Sequence, residues 1–299
     1  MSDMSVFNLS GNDLRSVYRL SGSALTKAYD ITGDAVYPPD SPGPSLSVMA
    51  YNVGCFYSEW HPAPTSTGTV FYQRQQTIFD KYDLAFAGLS EWYNQIGTVQ
   101  ASVLMDEYFP AWHPDYTPYP GNANAALTSG FSQAPESVTL VRYSTQGSEP
   151  RYYQKSYVTL GEKRICCILT HLDLNASTRA EQFLEVLNAV QNEKYFILLG
   201  DFNFQIAATG DNEYNASVQV ALNRGYHSAQ NADGLFMTWY SGETAEESAN
   251  TYALDNIITS ANINIESVSV DTTKLTDGLC AEYGIIIDHL PLIAELTIH

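Results

Sequence analysis

Beyond residue 45 the chain alternates between short apolar runs and stretches with helical spacing. Leu46 to Tyr51 and Leu84 to Leu89 have the length and apolar character of buried strands. Residues 70–82 place Phe71, Ile78 and Phe79 on one side of a helix, and residues 98–108 also read as helical. A long stretch rich in Pro, Tyr, Asn and Gly, 110–135, reads as a loop. Ser137 to Tyr143, Tyr153 to Leu160 and Arg164 to Thr170 follow as successive strands. The clearest helix covers 178–192. Thr178 and Glu181 make a capping box, and Phe183, Leu184, Leu187 and Val190 form its apolar stripe. A strand at Tyr195 to Leu199, a helix near 215–224 and strands at 253–259, 263–270 and 290–297 complete the order. Strands in hairpin runs mixed with helices predict a four-layer α/β sandwich, two packed mixed sheets flanked by helices.

The first 37 residues have a different pattern. Val6-Phe7-Asn8-Leu9-Ser10-Gly11, Val17-Tyr18-Arg19-Leu20-Ser21-Gly22 and Ala28-Tyr29-Asp30-Ile31-Thr32-Gly33 recur at an interval of 11 residues. A Gly in each unit after an alternating triplet predicts short strands and tight turns, a small β-type repeat segment. Three such units are too small to bury a core alone, so the segment is expected to dock on a neighbour, oligomerise or pack on the main domain. Residues 38–45, rich in Pro, form a stiff linker. The expected organisation is therefore repeats at 1–37, linker at 38–45 and one large domain at 46–299.

Charge and cysteines narrow the function classes. The 33 acidic residues against 14 Lys plus Arg give a formal net charge of -19. That balance opposes tight non-specific grip on a duplex through a basic patch. Cys55, Cys166, Cys167 and Cys280 include no C-x-x-C pair, which argues against a structural zinc site and for buried free thiols at 166 and 167. The first residues have neither a basic nor an apolar signal region, and no apolar stretch approaches the ~18 residues of a membrane span. The expected setting is cytoplasmic or phage/virion-associated.

Chemistry gathers where apolar runs stop. Asn52 follows Val48-Met49-Ala50-Tyr51, Glu91 follows Ala85 to Leu89, and His171 with Asp173 follows Ile165 to Leu169. Asp201 with Asn203 end a fourth run, and Asp288 with His289 end a fifth. Asp255 is set inside the apolar string Tyr252 to Ile258. A carboxylate there needs a partner, and a histidine is the natural one. Singly, each of these residues reads as a turn former, a helix cap or a satisfied core polar group. Together they line the rims of strands, where loops build active sites.

The ordered set Tyr51-Asn52, Gly88-Leu89-Ser90-Glu91, Thr170-His171-Leu172-Asp173, Gly200-Asp201-Phe202-Asn203, Leu254-Asp255-Asn256-Ile257 and Asp288-His289-Leu290-Pro291 resembles the endonuclease/exonuclease/phosphatase superfamily. That group includes DNase I-like nucleases, abasic-site endonucleases, inositol polyphosphate 5-phosphatases and sphingomyelinases. The resemblance implies Glu91 as principal Mg²⁺ ligand, Asn52 beside it and Asp288 completing the site, with Mn²⁺ as the alternative ion. It implies that Asp201 orients and deprotonates the attacking water while Asn203 positions the phosphate. His289, held by Asp255, and His171 would contact the phosphate from opposite sides. The chain departs from the superfamily at Ser90, where Gln is usual. Glu136 is a candidate partner for His171, and Lys155 or Arg151 a candidate phosphate contact.

The expected activity is that of a metal-dependent phosphodiester hydrolase, a DNase I-like endonuclease first, acting on nucleic acid or another phosphodiester. A phosphatase or sphingomyelinase-like hydrolase of a smaller phosphoester is the alternative. Trp60, Trp92, Trp112, Tyr116 and Tyr119 are candidates for stacking on bases or lining a pocket, or for plain loop packing. A third reading, from another class, makes the chain a phage tail or fibre-type structural protein that carries this domain.

Overall fold

The computed structural model describes residues 4–7, 16–21, 24–30, 43–54, 75–92, 104–114, 126–239, 252–273 and 289–299. The chain divides into two compact units, Met1–Ser45 with Thr297–His299, and Leu46–Leu296. In the first, β1 (Met4–Phe7), β2 (Ser16–Ser21) and β3 (Ala24–Asp30) form an antiparallel meander in that order, so the 11-residue repeats do give strands.

The remaining strands make two mixed six-stranded sheets. One sheet has the order β14 (Ile263–Val270), β15 (Leu292–Ile298), β4 (Ser45–Asn52), β5 (Leu84–Ser90), β7 (Leu127–Phe131), β6 (Ala111–Pro114). The other runs β12 (His227–Ser228), β13 (Ala253–Thr259), β11 (Phe196–Ile206), β10 (Lys163–His171), β9 (Tyr152–Leu160), β8 (Ser137–Arg142). Each sheet has a parallel pair at its centre, β4 with β5 and β10 with β11. These central strands are covered on both faces, which is why they read as continuous apolar runs.

The sheets pack face to face through β5 and β7 against β9, β10 and β11. Gly88 is what allows the close approach: a β-carbon there would run into the Leu199 and Leu169 side chains. On the outer face of the β10–β11 sheet, the helix Ala176–Ala189 buries Phe183, Val186 and Leu187 against Ile168, Phe196, Leu198 and Phe202. On the outer face of the other sheet, helical residues 75–79 and 104–108 bring Ile78, Phe79, Leu104 and Met105 onto Met49, Ala87 and Leu89. Helix, sheet, sheet, helix is the expected four-layer order. Among the described residues no helix is long and apolar enough to cross a membrane.

Several expectations are corrected. The stretch 110–135 is not one loop: it contributes β6 and β7, which pair with each other and, through β7, with β5. The polar residues Thr128 and Ser129 of β7 are buried and satisfied, Thr128 Oγ1 donating to Trp92 O at 3.1 Å and Ser129 Oγ to Gln154 across the sheets. The helix begins two residues before Thr178, and its cap is Asn175, whose side chain accepts from the Ser177 and Thr178 amides at 3.1 and 3.2 Å. The Thr178–Glu181 box does not form, because Glu181 accepts instead from Thr145 Oγ1 at 2.7 Å. Leu184 is exposed, and Arg179 and Gln182 are buried beside Phe183 on the packed face. The helix near 215–224 is two short ones, Asn212–Ala216 and Val218–Asn223. Trp92 is a core residue against Phe79, not a loop aromatic. Trp60, Tyr116, Tyr119, Cys55, Cys280 and residues 70–74 and 98–103 lie outside the described residues. Cys166 and Cys167 are buried free thiols whose pKa burial raises, to about 12 at Cys166.

Candidate active site

Both parallel pairs end at one rim, and register does much of the assembly. Asn52 is opposite Ser90 at the end of β4 and β5, so Glu91 emerges beside it. In the other sheet His171 is opposite Asp201, and Asp201 is opposite Asp255, which sets three polar side chains in a row across β10, β11 and β13. His289 joins the row through an isolated bridge to Trp239, while Leu290 N–H donates to Thr238 O at 2.8 Å. Thr238 also receives the Asp255 N–H on its hydroxyl at 3.1 Å. One short segment therefore aligns the histidine with its acid.

The two sheets are tied at this rim by Asn52. Its Nδ2 donates to Asp201 Oδ2 at 2.9 Å and to Glu91 Oε1 at 3.1 Å, while its Oδ1 accepts from Gly54 N–H at 2.9 Å. Asp201 Oδ2 also faces two imidazoles, His171 Nε2 at 3.4 Å and His289 Nε2 at 3.7 Å. Its other oxygen accepts from Asn203 N–H at 2.8 Å. Asn203 anchors itself by donating from Nδ2 to Leu172 O at 2.9 Å. Behind His289, Nδ1 lies 2.7 Å from Asp255 Oδ2.

Backbone strain marks the same place. Among the described residues the non-glycines with positive φ are Glu91 (62°) and Asn203 (54°), both in this cluster. Gly200, with φ of 138°, packs against the Thr170 carbonyl so closely that no β-carbon fits. Such conformations cost of order 1–3 kcal/mol each and persist where the surroundings impose them, commonly at functional sites. The strand β11 runs on to Ile206 through a register shift after Asp201, so the Gly-Asp-x-Asn string is a distorted stretch inside the strand and not its exit.

Electrostatics separates the two buried acids. Burial works against the Asp201 charge, but His171, His289, the Asn52 amide and the Asn203 N–H outweigh it and hold the carboxyl below the usual range. Burial lifts Asp255 above that range. His289 pulls it back, and the Asp201 charge pushes it further up. Asp255 Oδ1 is buried without a hydrogen-bond partner. The site therefore holds one firmly ionised acid beside a second whose charge depends on its histidine.

Asp201, Asp255 and His289 also present donor atoms within 4.8 Å of one another, close enough to hold a metal ion. Glu91 offers carboxylate oxygen, the chemistry a hard divalent cation selects, and an ion there breaks no acid–histidine pair. Asn52 would join through Oδ1 only with its amide turned over, since Nδ2 faces Glu91 and Oδ1 accepts from Gly54 N–H. Asp288 lies outside the described residues.

The structure brings together Asn52, Glu91, His171, Asp201, Asn203, Asp255 and His289. Other candidates sit elsewhere or act differently. Lys155 is turned to the Ala189 carbonyl at 3.0 Å and Glu193 at 3.1 Å, against the outer helix layer and away from the cluster. Glu136 is not a partner of His171: it is exposed and bonds Arg164 at 2.7 Å and Thr159 at 2.6 Å. Asp173 caps a turn, accepting from Asn175 N–H at 2.8 Å. Arg151 is buried, with NH1 3.1 Å from His171 Nδ1, a contact that sequence reasoning missed. The β9–β10 ladder ends with Thr170 opposite Tyr153; continued, it sets Arg151 opposite Leu172, one residue past His171, so register alone did not signal the contact.

No protein-family model matches the chain, and no curated protein matches it either. Solved structures do. An endonuclease/exonuclease/phosphatase family protein from Bacteroides thetaiotaomicron superposes with a TM-score of 0.63 at 15% identity, covering 87% of this chain and 100% of that one. The endonuclease/exonuclease/phosphatase from Bacteroides vulgatus gives 0.62 at 12% identity over 86% and 100%. The human Nocturnin catalytic domain, with bound sulfate anion, gives 0.59 at 17% identity over 86% and 96%. At these identities the likeness establishes the fold: it is the α/β sandwich of the endonuclease/exonuclease/phosphatase superfamily.

Proposed function

We propose that the protein is a metal-dependent phosphoester hydrolase in which Asp201 orients and deprotonates an attacking water, with phosphodiesters as the substrate class. The observation that carries this reading is a single oxygen, Asp201 Oδ2, fixed by Asn52 at 2.9 Å and faced by two histidine Nε2 atoms at 3.4 and 3.7 Å. A carboxylate held ionised and immobile can take a proton from a bound water, and donors aimed at one point stabilise charge that develops on a phosphoryl oxygen. Asn203 fixes the second Asp201 oxygen, and Asp255 orients His289.

Glu91 and Asn52 would hold Mg²⁺, or Mn²⁺ in its place, with Asp288 as the third member that the motif resemblance supplies. Bound there, the ion would contribute charge stabilisation at the phosphate and at the departing oxygen. The sulfate on the Nocturnin catalytic domain, an anion of phosphate-like shape, supports an oxyanion ligand for this fold.

A nuclease is the first reading. One observation favours a smaller phosphoester, as in a phosphatase or sphingomyelinase-like hydrolase. The net charge is -19, and Arg151, Lys155, Arg164 and Arg179 are each paired with a carboxylate. A duplex needs many free cationic contacts. Plasmid nicking and hydrolysis of bis(p-nitrophenyl) phosphate, with Mg²⁺, Mn²⁺ or EDTA, separate these readings. Loss of turnover in EDTA and in Asp201→Asn is expected, and turnover that survives either removes the mechanism. Activity on small esters alone selects the second reading. For residues 1–37 we propose attachment or oligomerisation. Deleting residues 1–45 should lower the native mass below a multimer's, and an unchanged oligomeric state rejects that role.

A further inference from the structure

Two imidazoles point their Nε2 atoms at Asp201, yet the partners behind them are of opposite kinds. Behind His289 stands a carboxylate, Asp255 Oδ2, at 2.7 Å from Nδ1. Behind His171 stands a guanidinium, Arg151 NH1, at 3.1 Å from Nδ1. A guanidinium offers five N–H donors, has no acceptor and is not deprotonated in proteins. A hydrogen bond between it and Nδ1 therefore uses the nitrogen lone pair, which leaves the ring proton on Nε2. A carboxylate is an acceptor, so the line behind His289 asks for the reverse, with Nδ1 on the donating side.

The position of Arg151 is itself built. The side chain is buried, and its NH2 is paired with Glu149 Oε2 at 3.1 Å. Gln146 clamps its backbone on both sides, accepting from Arg151 N–H at 2.7 Å and donating to Arg151 O at 3.1 Å. Tyr143 N–H reaches the same carbonyl at 3.2 Å, and Tyr143 OH in turn bonds Thr170 Oγ1, next to His171, at 2.6 Å. The arginine and the histidine are thus held by one connected set of contacts at the start of β9 and the end of β10.

We propose that Arg151 is a positioning residue that locks His171 as the neutral Nε2–H tautomer, so that the two histidines of the site do unlike work. His171 is a fixed neutral donor facing Asp201 and the phosphate position. His289, backed by an acid, keeps its ring proton on Nδ1. This deepens the phosphoester-hydrolase reading and rests on it for the phosphate, but the tautomer is readable without any substrate.

The test is a long-range ¹H–¹⁵N spectrum of the histidine rings in the uniformly ¹⁵N-labelled full chain at neutral pH, with rings assigned from His171→Gln and His289→Gln. The expected result is an unprotonated, pyridine-type Nδ1 with a protonated Nε2 at His171, and a protonated Nδ1 at His289. A protonated Nδ1 at His171 in the wild type overturns the inference. In Arg151→Met the single-tautomer signature of His171 should be lost. There kcat should fall about tenfold, the lower end for removing a group that orients a functional histidine, with KM within about twofold. Arg151→Lys, which keeps a donor, should recover part of both. A wild-type His171 ring spectrum in Arg151→Met also overturns it. If the tautomer is as expected but no phosphoester is cleaved, the inference about Arg151 stands and the hydrolase reading fails. Turnover with a protonated His171 Nδ1 gives the converse.

Discussion

Gly200 is the residue on which the distorted stretch of β11 turns, and replacing it with Ala gives a prediction with a magnitude. Two costs add. At φ of 138° an L side chain is strained, at about 1–3 kcal/mol. The new β-carbon would also overlap the Thr170 carbonyl oxygen and lie 3.0 Å from its carbon and 3.1 Å from Thr170 N. Those are backbone atoms of the neighbouring parallel strand and cannot swing aside, which adds about 1–3 kcal/mol of overpacking. The expected loss is therefore about 2–6 kcal/mol. Gly161→Ala is the matched control. It also has positive φ, 62°, but nothing lies within 4 Å of its added β-carbon, so the left-handed backbone alone costs about 1–2 kcal/mol. Urea unfolding of both variants, followed by tryptophan fluorescence, measures the difference. At a temperature where Gly200→Ala stays folded, turnover should still fall on the order of 100-fold. The strand can relieve the overlap only by moving Asp201, and about 1 Å of misplacement costs that much. A Gly200→Ala variant within about 0.5 kcal/mol of Gly161→Ala, or one with wild-type turnover, refutes this account of the strand.

Asp201→Asn should abolish turnover by at least about 10²-fold while the chain stays folded, measured by the phosphodiester assay beside circular dichroism. Gly88→Ala should cost about 1–3 kcal/mol, because its β-carbon meets the movable ends of Leu199 and Leu169. Leu199→Ala should rescue part of that loss in a double-mutant cycle, and strict additivity would mean the sheets do not meet there. Asp271 is held below the usual carboxylate range. Its burial is outweighed by Thr273, Lys81 and Tyr82, with Lys81 Nζ 3.0 Å from Oδ2. A depressed folded pKa gives stability that is present above the unfolded value and lost as pH falls through the folded one. Asp271→Asn should therefore lose about 1 kcal/mol at pH 7, discounted because Lys81 is 41% exposed, and the gap to wild type should close as pH falls below the usual carboxylate range in urea titrations.

The parts of the fold that were legible in the sequence are those whose burial is one-dimensional. β4, β5, β10 and β11 are central strands, so their apolar runs and the polar residues that end them stand out without any knowledge of neighbours. β7 was hidden because Thr128, Ser129 and Gly130 are tolerated inside only through partners elsewhere, Trp92 O and Gln154 in particular. The helix cap was misplaced for a related reason. Asn175, Ser177 and Thr178 are all competent caps, and the turn that Asp173 makes with Asn175 N–H decides among them. Arg151 presents the sharpest case. A basic residue before a strand looks like solvated charge until the fold buries its side chain against His171.

Backbone strain at the described non-glycine residues is not scattered. Positive φ at Glu91 and Asn203, the tight Gly200 and the unpartnered Asp255 Oδ1 all fall around one oxygen of Asp201. A core selected for stability alone would not bury two acids that oppose each other across β11 and β13. The arrangement makes sense if the buried charge is used. Asp201 stays ionised because two imidazoles and an amide surround it, and those same groups leave a hydrogen-bonding face in a protein whose net charge is -19. On the proposed reading an anionic ester is repelled at long range by such a surface, so its affinity would have to be generated at short range by these few donors and the proposed ion beside them. On that argument added salt should not weaken turnover, since what it screens at long range is a repulsion. A steep loss with salt would point to a basic surface that the described residues do not contain.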